Sequence, residues 1–213
     1  GPLAAVRAAV EAGAGELEKY CAVVATHVIS NIDPWIAELL LGRVAAPAAA
    51  DPASAAGVVE TLGVAAALEA AKQGLDAADV ALTGFRGPGG GLMAVFFRGP
   101  VAEVRSAVDA AAAHAAGVSK VYGTTVIPAP HPALVEGFAS GKAESGAFGA
   151  GALGVLETLG FVALFEAVDA ALKAGDVAFG AWSAIGSGYN SIGFRGQVAA
   201  VRSALAAAEE SAR

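Results

Sequence analysis

The sequence predicts an α+β fold in which one module of strands and helices occurs twice. Three observations predict it. GVVETLG at 57–63 returns as GVLETLG at 154–160, and the similarity runs in step through KQGLDAADVAL at 72–82 and ALKAGDVAF at 171–179 to FRGPVAEVRSAV at 97–108 and FRGQVAAVRSAL at 194–205. Apolar side chains at helical spacing, among them Phe161, Leu164, Phe165, Val168 and Leu172, mark amphipathic helices. Short runs rich in Val, Phe and Ile, bounded by Gly or Pro, mark strands.

Along the chain, GPLAAVRAAVEAG at 1–13 repeats GPVAEVRSAVDAA at 99–111 and predicts an additional first copy of that helix over 1–16. It could pack in a unit, replace a helix of one, or be added at the surface. Residues 20–40 then align without a gap on 118–138, pairing Val28-Ile29 with Val126-Ile127 and Pro34 with Pro132, which predicts a strand at 20–30 and again at 118–128. Small and helix-breaking residues make 43–56 and 140–151 loose connections. In the first unit, strands at 57–61, 80–85 and 92–98 surround a helix and the turn GPGGG at 87–91, and Val101, Val104 and Val108 place a second helix after them. The second unit repeats this order, with the turn GSG at 186–188 and Val198, Val201 and Leu205 on the closing helix.

Composition excludes several classes of function. The net charge of −7 and scattered Lys and Arg argue against a phosphate-backbone partner, so no nucleic acid is expected. Glu157, Glu166 and Asp169 interrupt the most apolar stretch, so no membrane span is expected. Cys21 is the single cysteine, no internal disulfide can form, and no signal-peptide pattern opens the sequence, which together favour a reducing cytoplasm.

Signals for chemistry are weak. The glycine-rich turns could cradle a phosphate or serve as plain hairpin turns, and neither GxxxxGK[ST] nor GxGxxG is present. His27, His114 and His131 lack metal-ligand spacing, and Cys21 reads as a small buried apolar residue of a strand. Glu60 and Glu157 recur at matching positions, better explained by duplicated structure than by a paired acid and base. Lys173 at a helix end reads as a cation favoured by the helix dipole. No enzyme, metal or cofactor is expected. A small-molecule-binding regulator built on duplicated α+β domains is the alternative from another class.

With GALGVLETLGFVALFEAVDAALKAGDVAF and AIGSGYNSIGFRGQVAAVRSAL in view, the chain resembles the shell proteins of bacterial microcompartments, in the tandem-domain, circularly permuted class. The resemblance implies two domains, each an antiparallel sheet flanked by helices, over 17–116 and 117–213, behind the extra helix of 1–16. It implies a homotrimer whose six similar domains form a pseudohexameric tile in the shell, in the bacterial cytoplasm. The turns would converge on a central pore, lined by Arg86, Gly87, Pro88, Gly89, Gly90 and Gly91 from the first unit and Ser183, Gly186, Ser187, Gly188, Tyr189 and Asn190 from the second. Small polar or anionic metabolites would pass. Other shell proteins would join edge to edge, with Lys173 at the tile edge and Asp76 at the corresponding place in the first unit.

Overall fold

Each copy of the GVxETLG segment forms the strand on which its unit is built. The structure, a computed structural model, describes residues 2–43, 45, 53–139 and 151–212. Two helices, α1 (Leu3–Leu17) and α2 (Pro34–Leu40), precede β1 (Ala55–Leu62), α3 (Val64–Ala77), β2 (Ala81–Gly89), β3 (Leu92–Gly99), α4 (Val101–Ala115), β4 (Val121–Ile127) and α5 (Pro132–Ala139). The second unit follows as β5 (Ala152–Leu159), α6 (Phe161–Ala174), β6 (Val177–Gly186), β7 (Tyr189–Gly196) and α7 (Val198–Ser211). The first sheet has the order β2-β3-β1-β4 and the second β5-β7-β6, with every neighbouring pair antiparallel.

In each unit two helices pack together and against the sheet, α3 with α4 and α6 with α7. The glycine that opens each repeated segment makes this possible. A Cβ on Gly57 would lie 2.6 Å from both Val104 Cγ1 and Val108 Cγ2, and one on Gly154 would lie 2.6 Å from Val201 Cγ1. Only glycine lets the closing helix approach the strand so closely. The same constraint recurs at corresponding positions, which is why this part of the repeat is so legible.

Strand periodicity then divides the core in two. Ala55 and Val59 of β1, with Val95 and Phe97 of β3, face α3 and α4, where Val104, Val108 and a run of buried alanines meet them. Ala56, Val58, Ala94 and Phe96 face the other way, into a cluster with Leu134 and Phe138 of α5 and Phe161, Leu164 and Phe165 of α6. Sheet one is therefore buried on both faces, the second by unit two.

Several elements differ from the sequence reading. The strand expected at 20–30 does not form: residues 22–29 join no ladder. Both edges of β1 are already taken, by β3 and β4, so the place beside the GVVETLG strand is not open to it. β4, which the boundary at 116/117 assigns to the second unit, pairs with β1 instead. The short link after α4 turns the chain straight back onto that sheet. α1 lies on the surface with none of its residues buried. Cys21 is exposed after α1, its Sγ 3.6 Å from Leu17 O, and is not the buried strand residue expected. The connections at 43–56 and 140–151 fall mostly outside the described residues. Among the described residues, no helix is long and apolar enough to cross a membrane.

Candidate functional site

The hairpins β2-β3 and β6-β7 bring their turns into backbone contact. A Cβ on Gly90, at φ +66°, would lie 2.7 Å from Ser187 C and 2.9 Å from Gly188 N, and one on Gly89 would lie 3.2 Å from Gly186 Cα. Ser187 itself is left-handed at φ 51°. Two turns whose sequences differ thus meet at one point on the molecule. Gly87, Gly90, Gly91, Ser183, Ser187 and Tyr189 are exposed there, with Gly89 and Gly186 partly so.

Other residues expected at the opening turn inward. Pro88 and Gly188 are buried. Asn190 is fully buried, and its Nδ2 donates to Gly188 O at 3.0 Å and to Gly160 O at 3.2 Å, so its amide locks the turn to the start of α6. Arg86 also points back: Nη1 donates to Phe85 O at 2.8 Å and Nη2 donates to Phe138 O at the end of α5. Burial pulls the Arg86 guanidinium below its ordinary pKa. Its charge serves the packing of α5 instead of projecting beyond the turn.

The seam beneath the turns is built around a carboxylate. Glu60 reaches out of β1, 2% exposed, and accepts from Phe161 N at 2.8 Å and from Val162 N at 3.4 Å, supplying the N-terminus of α6 with the acceptor its own Gly160 lacks. Around it Phe96, Phe138, Phe161 and Phe165 meet mostly edge to face at centroid distances of 5.0–6.4 Å, joined by Trp182. The sequence singled out Glu60 only as a repeated residue. Its role across the seam was hidden because its partner lies about a hundred positions away.

Burial raises the Glu60 carboxyl above its ordinary value of 4.5, outweighing the bonds from Phe161 and Val162 that favour the charge. Because the folded pKa exceeds the unfolded one, this contribution is fully present below about pH 4.5 and is lost as pH rises through the raised value. Glu60→Gln is expected to remove that pH dependence from the denaturation midpoint while keeping one acceptor. Glu60→Ala leaves the two N–H groups without it and is expected to cost about 1–3 kcal/mol below about pH 4.5, and less as pH rises through the raised value.

The helix ends carry a further pair. Lys173 Nζ lies 2.6 Å from Asp169 Oδ2, and Asp169 Oδ1 also accepts from His131 N at 2.7 Å. At the corresponding positions of α3 the charges are exchanged, with Lys72 paired to Asp76. Lys173 and Asp76 are the exposed members of their pairs. His27 meets Glu69, His131 starts α5 and His114 is exposed on α4, so the three histidines are not brought together.

Comparison with known proteins agrees with this architecture. The BMC domain family matches residues 55–130 and 152–213. Bacterial microcompartment shell protein PduA of Citrobacter freundii is 47% identical over 77 residues, spanning 36% of this chain and 83% of that protein. Carboxysome assembly protein CcmO of Synechocystis is 35% identical over 161 residues, spanning 71% of this chain and 54% of CcmO. Among solved structures, a microcompartment protein from Desulfitobacterium hafniense superposes with TM-score 0.62 at 30% identity, covering 74% of this chain and 86% of that one. The fused permuted hexameric shell protein MSM0275 shares the fold at TM-score 0.57 and 22% identity, covering 86% and 92% respectively. The chain therefore belongs to the BMC-domain family of bacterial microcompartment shell proteins, with two such domains in tandem.

Proposed function

We propose that this chain is a non-catalytic shell tile, three copies of which close into a ring of six BMC units around a passage for small polar or anionic metabolites. The observation that carries the reading is the backbone contact between the β2-β3 and β6-β7 turns. A contact between different faces of similar units, repeated head to tail, closes into a ring when its rotation allows, and each repeat adds two turns at the same radius. Ser183, Ser187 and Tyr189 offer hydroxyls at that point, and the exposed glycines offer backbone N–H groups. These suit polar or anionic solutes without the charge of Arg86.

Buried charged groups support a structural role, since each has a packing task. Glu60 caps α6, Asp169 holds α5 and Lys173, and Arg98 binds Ser54 through Nε and Nη2. Lys173 and Asp76, exposed on corresponding helix ends, would meet other shell proteins edge to edge. The tile belongs in a microcompartment shell in the bacterial cytoplasm.

Light scattering at micromolar concentration is expected to give the mass of three chains, and negative-stain microscopy of concentrated protein is expected to give flat sheets or tubes. A stable monomer would overturn the ring, and trimers that never associate would overturn the tile.

A further inference from the structure

Sheet two leaves open what sheet one hides. Ala56, Val58 and Glu60 of β1 are buried at the seam, whereas the corresponding Leu153, Val155 and Glu157 of β5 are exposed. β1 carries β4 on its outer edge, but β5 pairs with β7 alone among the described residues. A bare, apolar strand edge of this kind is a template for another strand. The helix side of the seam is open too: α6 receives Glu60, while α3 has no side-chain cap at Gly63 and Val64 is 47% exposed.

Residues that fit these openings are in the N-terminal segment. Residues 20–40 align without a gap on 118–138, the part that crosses the seam within the chain. There β4 pairs with β1 and touches α6, and α5 packs on α6 and β6. The N-terminal copy already has half of this arrangement. His27 Nε2 lies 3.0 Å from Glu69 Oε2 of α3, and α2 packs on α3 and β2. What residues 22–29 lack is a strand edge.

We propose that residues 22–29 of one copy pair antiparallel with β5 of a second copy, and that Glu157 of the second copy caps α3 of the first at the Val64 and Ala65 amides. The inference rests on the ring reading above and gives its contact between chains. The occupant is a second copy because unit one lies on the α6 and β6 side of unit two, while 22–29 is held on the α3 side of unit one. Free edge and free segment are thus at the two ends of one chain. Along the seam between copies Val64, Leu68 and Leu40 stand where Phe161, Phe165 and Phe138 stand within the chain, so the contact is aliphatic where the internal one is aromatic. The observed register, Ala56↔Ile127 and Val58↔Thr125, carries over as Leu153 opposite Ile29 and Val155 opposite His27.

Directly opposed residues of an antiparallel pair lie close enough for a disulfide. In a Cys21→Ser background, Val155→Cys with His27→Cys, and separately Leu153→Cys with Ile29→Cys, is expected to give two- and three-chain bands on non-reducing electrophoresis that collapse with reductant. Val155→Cys with Val28→Cys, one residue out of register and on the other face, is expected to give few. Glu157→Ala in the otherwise unchanged chain is expected to raise the concentration at which the particle dissociates about tenfold, and Glu157→Gln by less. Three-chain particles in which neither in-register pair bridges would overturn strand donation and leave the ring standing. A bridge within one chain would overturn the second copy as occupant, and a monomeric mass would overturn both.

Discussion

Phe138→Ala is expected to destabilise the protein by about 3–5 kcal/mol, the range for deleting a buried aromatic side chain. Phe138 is 4% exposed, and its ring meets Phe161, Phe165, Phe179 and Trp182 at centroid distances of 5.0–5.7 Å. Phe161, Phe165 and Trp182 cannot collapse into the void without leaving another partner, because they also contact each other or Phe96 across the seam. The loss also loosens α5, whose end carbonyl holds Arg86. Denaturant unfolding followed by tryptophan fluorescence reads the effect, since Trp182 lies against the deleted ring. A midpoint close to that of the parent would mean that α5 is not needed to join the units.

Gly90→Val carries the second large effect. At φ +66° any side chain costs about 1–2 kcal/mol of backbone strain, and a branched one is worse. The new Cβ would also press on the backbone of Ser187 and Gly188, which cannot rotate away as a side chain can. The turns are expected to part, with a lower thermal midpoint and faster amide exchange at Gly188 and Tyr189. Gly91→Ala is the control: its φ of +80° imposes similar strain, but its Cβ would meet only Leu62 Cδ1 at 3.3 Å, a side chain that can yield. Equal losses from both substitutions would show that strain, not contact between turns, sets the cost.

The duplicated module was legible because its constraints are local or repeat in place. Gly57 and Gly154 answer the same close approach of a helix, and Phe161, Leu164, Phe165, Val168 and Leu172 are all buried, as their helical spacing implied. Side chains whose partners lie far along the chain were not legible. Asn190 and Arg86 stand beside exposed turns in sequence but spend their donors on Gly160 and Phe138, far along the chain. The 20–30 segment has the pattern of a strand, but a pattern does not supply a neighbour, and the edge of β1 that would complete it is already taken in its own sheet.

The exchange of Lys72–Asp76 for Asp169–Lys173 gives the duplicated molecule a head and a tail. Perfect duplication would make the two ends interchangeable, so that a neighbour could attach to either and an array would have no preferred sense. Here an acid is outermost on one helix end and a base on its counterpart. A charged neighbour can therefore tell the first half from the second by sign alone, and salt should erode that distinction before it affects the fold.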